Sequence, residues 1–427
     1  MFTRHILSKV QRTNRIPKCN KSTSSWKFPE LNAKLLCDSI DQEKIEENIL
    51  RRKGVGNIKL VRELTNQLER KQTGTEDFEA LRTQLAQELL KIPNRTHPDV
   101  FDYGDKPKLV KLVNDKRTFT DTPLEFSQIA KKLKMVRTEH LGNVSGSRSY
   151  YILGELAELE QALLDYFVHE LIQSGFEFVS VPDILPRTVI ERCGMTTKGD
   201  RNQVYTLDSK LHEPDLCLSG TSEMALAGYL AGETFKEADL PKKLAALSRC
   251  YRAEISSTAE ERGIFRVHEF TKVEMFVVTA PETSDGALEE IRTWEEEKFK
   301  ALGLHFQVLD MPPHELGAQA YRKYDIEAWM PGRGMYGEIS SCSNCTDYQS
   351  RRLDIKYERK DGKLDYVHTL NGTACAIPRL LIALVENGQN QKGFIELPDI
   401  IQDYMRGKRS ISKQKSIPEL KLIKNKK

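Results

Sequence analysis

The sequence GIFRVHEFTKVEMF, residues 263–276, alternates along most of its length between apolar or short side chains and charged or aromatic ones. A period of two is typical of a β-strand that has one face in a protein core. The other face carries, in order, Arg266, His268, Phe270, Lys272 and Glu274. This combination of cations, a carboxylate and an aromatic ring predicts either a solvated sheet surface with cross-strand ion pairs or a surface that binds a ligand.

The segment just before it, RCYRAEI at residues 249–255, predicts an antiparallel partner strand. Residues two apart in a strand share a face, so Arg252 and Glu254 would lie next to the polar face of the following strand. The combined face has the groups to bind a phosphate, a base and an ammonium ion. Arginine binds phosphate through two parallel hydrogen bonds, an aromatic ring stacks on a base, and a carboxylate pairs with an ammonium group.

A third polar segment, GEISSC at residues 337–342, places Glu338 beside Ser340 and Ser341. Carboxylate and hydroxyl oxygens are hard ligands of the kind that Mg²⁺ prefers. The segment therefore predicts a magnesium site.

A fourth segment, HTLNGTACAIPRLLIALVEN at residues 368–387, begins with polar residues that include Asn371 and Thr373 and continues as an apolar run. The run predicts a helix over 373–388. Arg379 lies within this otherwise core-facing segment, and a buried cation needs an anion to offset its charge. A phosphate group is a natural partner for it.

Strand-like runs such as FEFVSVP, DLCLSG, LAALSRCYRAEI and HFQVL follow one another between residues 140 and 403, which we expect to form one catalytic domain. Helical patterns intervene at 150–173, 222–231 and 286–301. Successive strands with few short crossovers predict an α+β fold with an antiparallel sheet flanked by helices, rather than a doubly wound parallel sheet. The sequence has neither a P-loop nor a GxGxxG fingerprint, so a nucleotide site would be built in another way.

Two amphipathic helices are predicted over residues 57–71 and 76–91, where apolar residues recur at three- and four-residue steps. Between them Gly74 permits a turn, and Thr75 can cap the second helix. A short loop between helices of similar length predicts an antiparallel hairpin, and residues 30–110 are therefore expected to form an N-terminal helical arm. The alternative is that both helices simply pack on a globular body.

The 427 residues carry a net charge of only +3, but basic residues are concentrated at both ends. Residues 1–29 contain seven Lys or Arg and no Asp or Glu, which predicts a mitochondrial transit peptide, with a disordered basic tail as the alternative. Residues 404–427 carry nine Lys or Arg against one Glu, and predict a tail that is solvated or binds a polyanion. No run of about 18 apolar residues occurs, so no membrane-spanning helix is expected.

Eight cysteines are scattered along the chain, and only Cys342 and Cys345 form a close pair. No second pair and no histidines follow at ligand spacing, so a structural zinc site is not expected. Free thiols in a reducing compartment fit this pattern better.

The polar segments, in this order and at these spacings, resemble the signature motifs of class II aminoacyl-tRNA synthetases, and in detail those of the seryl-tRNA synthetase family. SGTSE at 219–223 resembles the serine loop of that family, and RAE at 252–254 with FRVHEFTKVEMF resembles its second motif. EISSCSNCTDYQSRR resembles the strand that binds metal and nucleotide, and HTLNGTACAIPRLLIALVENGQ the third motif. GSRSYYILGELAELEQALLDY and GFEFVSVPDILPR fit the first, dimer-forming motif, so that the resemblance covers residues 146–404.

The resemblance implies a role for each matching residue. ATP would be bound by Arg252, Glu254, Arg266, Val267, Phe270, Glu338, Ser341 and Arg379. Serine would be surrounded by Thr221, Glu223, Glu274, Asn371 and Thr373. Mg²⁺ would be held by Glu338 and Ser341, and the catalytic residues would be Arg252, Glu338 and Arg379. His268 and Lys272 match no ligand of the family, and we expect structural roles for them.

The resemblance implies a homodimer that activates L-serine with Mg-ATP and transfers it to the terminal adenosine of tRNA(Ser), and the leader implies the mitochondrial matrix. The alternative is a non-catalytic paralogue that binds RNA or protein. Such a protein should have lost phosphate or serine ligands, whereas all the matching ligands are present here.

Two features depart from the family pattern. The loop ISSTAEERG after RAE is not glycine-rich, and Glu269 stands where Gln is usual; this loop faces the tRNA acceptor end in the family. The helical hairpin is short, with some 15 residues a side, or about 23 Å at helical rise. The basic tail is a candidate to compensate for the short arm by binding the tRNA backbone.

Overall fold

The computed structural model describes residues 42–138, 148–197, 199, 202–210, 215–254 and 263–413. The predicted transit peptide, the loop at 255–262 and the end of the predicted basic tail at 414–427 lie outside the described residues. The helices are α1 (Gln42–Arg51), α2 (Ile58–Glu69), α3 (Glu76–Lys91), α4 (Phe126–Leu133), α5 (Glu155–Gln173), α6 (Arg187–Arg192), α7 (Ser222–Tyr229), α8 (Ser284–Ala301), α9 (Tyr348–Leu353), α10 (Arg379–Gly388) and α11 (Asp399–Gln402). The strands are β1 (Lys108–Val113), β2 (Val136–Arg137), β3 (Tyr151–Ile152), β4 (Glu177–Phe178), β5 (Ile184–Pro186), β6 (Leu216–Leu218), β7 (Thr234–Lys236), β8 (Lys242–Tyr251), β9 (Glu269–Thr279), β10 (Phe306–Asp310), β11 (Arg322–Met330), β12 (Met335–Asn344), β13 (Lys356–Glu358), β14 (Leu364–Tyr366), β15 (His368–Ala376), β16 (Ile395–Glu396) and β17 (Ser410–Ile411).

Eight strands form the main sheet in the order β1, β10, β11, β12, β15, β9, β8, β4. Neighbouring strands are antiparallel, except that the short β4 runs parallel to β8. Helices α5 and α8 pack against one face, and α7 packs against part of the other. The structure confirms the predicted α+β fold with an antiparallel sheet flanked by helices.

Strand β9 lies near the middle of this sheet and is buried on both faces. Val273 and Met275 face the core formed with α5 and α8, whereas Phe276 faces the core formed with α7. Lys272 and Glu274 have the parity of Phe276 and are themselves only 6% and 2% exposed. The polar face predicted from the sequence is therefore an interior surface at Lys272 and Glu274, whereas Arg266, His268 and Phe270 are half-buried.

The bounds predicted for the two strands over 249–255 and 263–276 are wrong at the connection between them. The strand predicted over 263–276 begins at Glu269, and its partner predicted over 249–255 ends opposite this residue, at Tyr251. Strand pairing stops at this point, and Arg266 consequently lies in the connecting segment rather than on the strand.

The helix predicted over 373–388 is wrong in its first part. Residues His368–Ala376 form β15, and the helix begins at Arg379, directly after the cis-proline Pro378. Proline has no N–H to donate, so it fits the boundary between the two elements better than a helix interior. A strand buried on both faces has a continuous apolar run that resembles a helix in the sequence.

The predicted N-terminal hairpin is confirmed. Helices α2 and α3 contain 12 and 16 residues, or about 18 and 24 Å at helical rise. Thr75 caps α3 as predicted, since its side chain accepts a hydrogen bond from the Phe78 N–H at 3.2 Å. The two helices pack on each other through a small core of their own that includes Ile58, Val61, Leu64, Leu85 and Leu89.

The base of the hairpin is joined to the body of the protein by buried hydrogen bonds. Arg52, which is 4% exposed, donates to the carbonyl oxygens of Asn94 at 3.1 Å and Ala320 at 2.7 Å. The predicted end of the arm at residue 110 falls inside the edge strand β1, which pairs with β10 of the main sheet. The arm thus ends in the sheet that carries the site.

Residues 404–413, the beginning of the predicted basic tail, pack on the body. Met405 and Ile411 are buried, and β17 pairs with β16. Lys408 forms an ion pair with Glu155 at the start of α5, at 2.8 Å. No helix within the described ranges is both long and apolar enough to cross a membrane.

Candidate active site

A cleft opens on the face of the sheet opposite α5 and α8, where β9, β12 and the start of α10 meet. Its empty space, counted together with the solvent at its open side, is about 620 Å³. All eight residues predicted to bind ATP line it: Arg252, Glu254, Arg266, Val267, Phe270, Glu338, Ser341 and Arg379. The fold brings them together from distant segments of the chain.

Arg379 is held in this cleft from several sides. Its Nη1 donates to the Glu338 carboxylate at 2.8 Å and to the Glu338 carbonyl oxygen at 3.1 Å, and its Nε donates to the Phe265 carbonyl oxygen at 3.2 Å. Its guanidinium carbon lies 4.6 Å from the centre of the Phe265 ring. These contacts fix the plane of a cation that can meet phosphate oxygens.

A second arginine lies over the other aromatic ring of the cleft. The guanidinium carbon of Arg252 is 5.2 Å from the centre of the Phe270 ring. The Arg252 N–H donates to the His268 carbonyl oxygen at 2.8 Å, and His268 Nδ1 lies 3.0 Å from the Arg252 carbonyl oxygen. His268 therefore holds the backbone of Arg252, which agrees with the structural role expected for it.

A β-bulge explains how Glu338 and Ser341, three residues apart, come to line one cleft. In the pairing of β11 with β12, Ile326 lies opposite Ser340 and Glu327 lies opposite Glu338, which leaves Ile339 as an extra residue. The extra residue shifts the alternation by one, so that positions 338 and 341 share a face. Ser340 also contributes to the lining of the cleft, but its hydroxyl is engaged by the Thr373 carbonyl oxygen, to which it donates at 2.6 Å.

The donor set at this bulge fits a hard divalent cation. Burial alone would raise the pKa of Glu338, but the positive charges of Lys323 and Arg379 lower it to about 2. The carboxylate is therefore ionised at neutral pH, and the Ser341 hydroxyl lines the same cleft. An ionised carboxylate and a hydroxyl oxygen are ligands that Mg²⁺ accepts alongside substrate phosphates.

The residues predicted to bind serine form a buried polar cluster next to the cleft. Thr373 lines the cleft itself and lies directly opposite Glu274 in the pairing of β15 with β9. Thr221, Glu223 and Asn371 complete the set, and each of the five residues is at most 8% exposed.

Gly372 lies within this part of β15. A Cβ atom at this position would approach Ile291 of α8 to 2.5 Å, so only glycine lets the helix pack so closely.

Four of the five members of the serine cluster are held by specific contacts. Thr221 caps α7, and its side chain accepts the Glu223 N–H at 3.4 Å. The Glu223 carboxylate accepts a hydrogen bond from Gln349 Nε2 at 2.5 Å. Glu274 forms an ion pair with Lys272, and Asn371 Nδ2 donates to the Cys345 sulfur at 3.5 Å.

Two buried carboxyl groups, those of Glu223 and Glu274, lie near one lysine, Lys272, which forms an ion pair with Glu274. Burial, together with the smaller effect of the nearby Glu274 charge, raises the pKa of Glu223 to about 7. Burial also raises the pKa of Glu274, although Lys272 opposes this effect. With both carboxylates ionised the three side chains carry a net charge of −1, which the ammonium group of an amino acid would offset.

The titration of Glu223 predicts a pH-dependent stability. Because folding raises its pKa from 4.5, its contribution to stability is complete below that value and is lost as the pH rises through about 7. We therefore expect the melting temperature of the wild type, relative to that of Glu223→Gln, to fall between about pH 5 and pH 8. Glutamine has a similar shape and no titrating group. A melting-temperature difference that is the same across this range would contradict the prediction.

Two further residues of the site were not predicted as ligands. Lys272 lines the cleft and also forms an ion pair with Glu274. The sequence did indicate this position, because Lys272 lies two residues after Phe270 and therefore on the same face of the strand. Gln349 is fully buried on α9 and accepts a hydrogen bond from the Thr369 hydroxyl at 2.7 Å. No local pattern distinguishes Gln349 in the sequence, because only the fold brings α9 against the serine cluster.

The cysteine pair lies beside this site rather than in the cleft. Cys342 is buried within β12, and Cys345 is buried in the turn that follows it. Among the residues that the structure describes, no group of three or more His, Cys, Asp or Glu side chains is placed to hold a metal ion.

Comparisons with known proteins agree with this geometry. Residues 205–388 match the family described as tRNA synthetase class II core domain (G, H, P, S and T). That range contains all the residues that line the cleft and all five residues of the serine cluster. The fold and the site thus define the core of a class II aminoacyl-tRNA synthetase.

The chain is 47% identical over 329 residues to the mitochondrial serine–tRNA ligase of Mus musculus, a match that covers 76% of this chain and 63% of that protein. It is 39% identical over 333 residues to the serine–tRNA ligase of Rubrobacter xylanophilus, covering 77% of this chain and 78% of that protein. A crystal structure of seryl-tRNA synthetase from Pyrococcus horikoshii, complexed with ATP, matches with a TM-score of 0.77 at 28% identity and covers 90% of this chain and 99% of that chain. The chain belongs to the seryl-tRNA synthetase family. It spans about 63% of the length of its mouse relative.

Proposed function

We propose that this protein is a serine–tRNA ligase that activates L-serine with ATP and transfers the seryl group to the 3′-terminal adenosine of mitochondrial tRNA(Ser). The observation that carries the proposal is the junction of two sites. A cleft lined by Arg252, Arg266 and Arg379 adjoins a buried cluster in which two carboxyl groups lie near one lysine. The relatives named as serine–tRNA ligases support the same assignment.

In the first step the serine carboxylate attacks the α-phosphorus of ATP, seryl-adenylate forms, and pyrophosphate leaves. The nucleophile is ionised at neutral pH, so the step needs no general base. The protein has to align the reactants and offset the charge that develops on the phosphate oxygens. In this proposal Arg252 meets the α-phosphate, Arg266 and Arg379 meet the outer phosphates, and Phe270 supports the adenine.

Glu338 and Ser341 would hold Mg²⁺ in this proposal. When bound, the ion would offset negative charge on the triphosphate and help to orient it. Glu254, whose carboxylate lies 3.6 Å from Arg266 Nη1, would accept a hydrogen bond from the adenine amino group.

Serine would bind in the adjoining cluster. Its ammonium group would meet Glu223 and Glu274, and its hydroxyl would meet Glu274 and Thr373. Buried groups that lose their hydrogen-bond partner are costly, so glycine and alanine should be rejected without an editing site, by a factor of about 10⁴ to 10⁵. In the second step a hydroxyl of the terminal adenosine attacks the seryl carbonyl, and AMP leaves.

Exchange of labelled pyrophosphate into ATP tests the proposal with the purified chain. We expect exchange that depends on serine and is much weaker with threonine or alanine. No exchange with serine would favour a non-catalytic paralogue, and equal exchange with alanine would overturn the assigned specificity.

We infer that the protein works in the mitochondrial matrix as a homodimer. The basic, acid-free composition of residues 1–29 and the mitochondrial relatives support the location. The segments that resemble the dimer-forming motif expose Tyr151, Phe178 and Ile184 by 45%, 40% and 48%, as expected for a surface that another subunit covers.

The short hairpin and the basic tail are proposed to bind the tRNA, and truncation tests the tail. Residues 404–413 pack on the body, so the informative truncation ends at Lys413 and removes 414–427 with their five lysines. We expect weaker tRNA binding with a flatter salt dependence. The plot of the logarithm of the binding constant against the logarithm of the salt concentration becomes less steep by about 0.9 for each phosphate that the protein no longer neutralises. Pyrophosphate exchange without tRNA should not change. Unaltered binding and salt slope would show that the tail takes no part.

A further inference from the structure

The turn formed by Cys345 and Thr346 has an unusual backbone. Thr346 is 4% exposed and has a φ of 46°, in the left-handed region that a β-branched residue rarely adopts. Such a conformation persists only where the surroundings hold it in place. Two backbone hydrogen bonds tie the turn to β15, from the Cys345 N–H to the Thr369 carbonyl at 2.9 Å and from the Thr369 N–H to the Thr346 carbonyl at 2.9 Å.

The turn lies directly behind the proposed serine site and contacts it at two points. The Cys345 sulfur accepts the hydrogen bond from Asn371 Nδ2. Helix α9 starts two residues after Thr346 and carries Gln349, which donates to Glu223. The position of the turn thus sets the positions of Asn371 and, through Gln349, of the Glu223 carboxylate.

Asn94, at the base of the N-terminal arm, holds this turn from the opposite side. Its side-chain amide lies 2.8 Å from the Cys345 carbonyl oxygen, 3.0 Å from the Thr346 hydroxyl and 2.8 Å from the Gln319 carbonyl oxygen. Its Oδ1 accepts the Arg95 N–H at 2.9 Å. Asn94 is 8% exposed, so water cannot readily replace these bonds.

We propose that Asn94 is a positioning residue of the serine site, which it controls by holding the strained Cys345–Thr346 turn. The inference rests on the proposed function of the neighbouring cluster. Asn94 contacts neither Glu223 nor Asn371 directly, and its effect passes through the turn. None of these contacts extends to the residues that line the ATP cleft. Replacement of Asn94 should therefore weaken serine binding more than ATP binding.

Asn94→Ala tests this inference in pyrophosphate exchange, with rates normalised to the concentration of active sites. We expect the KM for serine to rise roughly tenfold, as for the loss of a buried hydrogen-bonding group, and the KM for ATP to stay within about twofold. Asn94→Asp is a second variant in case the alanine variant folds poorly. It keeps the size and the acceptor oxygen but loses the donors to the two carbonyl oxygens, and it should show the same pattern.

Asn48→Ala is the matched control. Asn48 Nδ2 donates to the Asn94 carbonyl oxygen at 3.1 Å, and its Oδ1 accepts from Thr96, so the same substitution disturbs the base of the arm without touching the turn. We expect the KM for serine of this variant to stay near the wild-type value.

Thr346→Gly provides a rescue that a general structural role would not show. Glycine adopts positive φ without steric strain, so the turn should need less support. In the Thr346→Gly background, loss of the Asn94 side chain should therefore have a smaller effect. We expect the KM for serine of the double variant Asn94→Ala/Thr346→Gly to lie within about threefold of the KM of the single variant Thr346→Gly.

The outcomes separate the inference from the proposed function. If the wild type shows no serine-dependent exchange, both are overturned. If the wild type is active but Asn94→Ala leaves the KM for serine unchanged, or raises the KM for both substrates together, the positioning role alone is overturned. Absence of rescue by Thr346→Gly would likewise count against the turn as the intermediary.

Discussion

Arg379→Ala is expected to lower serine-dependent pyrophosphate exchange by roughly 10³-fold, the size of effect seen when a group that stabilises transition-state charge is removed. Arg379 is fixed by Glu338 and by the Phe265 carbonyl oxygen, so it is already in place before charge develops on the phosphates. The substitution also leaves the Glu338 carboxylate without its partner in the cleft. The loss should appear mainly in kcat and in the KM for ATP, and less in the KM for serine.

Arg333→Ala is the matched control for this prediction. Its guanidinium carbon lies 4.9 Å from the centre of the same Phe265 ring, but Arg333 is outside the set of described residues that line the cleft. We expect less than about a fivefold effect from it, as for a change away from the reacting groups. Arg379→Lys should recover little activity, because a point charge cannot replace the two-pronged geometry. Equal losses from the two alanine variants would contradict a direct role for Arg379.

Glu274→Gln is expected to lower kcat/KM for serine by roughly 10² to 10³-fold, or about 3 to 4 kcal/mol, which lies within the range for breaking a buried charge pair. The amide removes the carboxylate that forms the ion pair with Lys272, and it reduces the attraction for the substrate ammonium group. The KM for ATP should change little, since Glu274 lies outside the described lining of the cleft. Initial rates at varied serine and at varied ATP would separate the two effects.

Glu269→Gln is the same substitution on the same strand and serves as its control. The Glu269 side chain is 53% exposed, and its pairing with Arg249 is 3.7 Å long. An exposed pair of this kind contributes little, so kcat/KM should stay within about threefold of the wild type. A selective loss for serine in Glu274→Gln and not in Glu269→Gln would support the assignment. Similar values for both variants would refute it.

The sequence predicts the content of the site better than its local geometry. Alternation along β9 correctly grouped Phe270 with Glu274, because a period of two is a direct consequence of strand geometry. The bulge at Ile339 was invisible, since an extra residue in a strand leaves no mark in side-chain chemistry. The pairing of Glu338 with Ser341 was therefore implied by resemblance alone, and only the register of β11 with β12 explains it.

Errors in the predicted elements have a common cause. An apolar run without alternation is compatible with a helix and with a strand buried on both faces. Residues His368–Ala376 are of the second kind, and Pro378 was the usable boundary signal. Lys272 was expected to have a structural role because it matches no ligand of the family, whereas the structure places it in the lining of the cleft and in an ion pair with Glu274.

The double burial of β9 restricts how this chain can change in length. Substrate-facing and core-facing side chains alternate along it without a register shift against β8. A single inserted residue would turn Val273 and Met275 toward the substrates and drive Lys272 and Glu274 among the apolar side chains of α5 and α8. Binding and folding would then fail together. A substitution alters one side chain of this strand, whereas an insertion or deletion changes the face on which every residue beyond it lies.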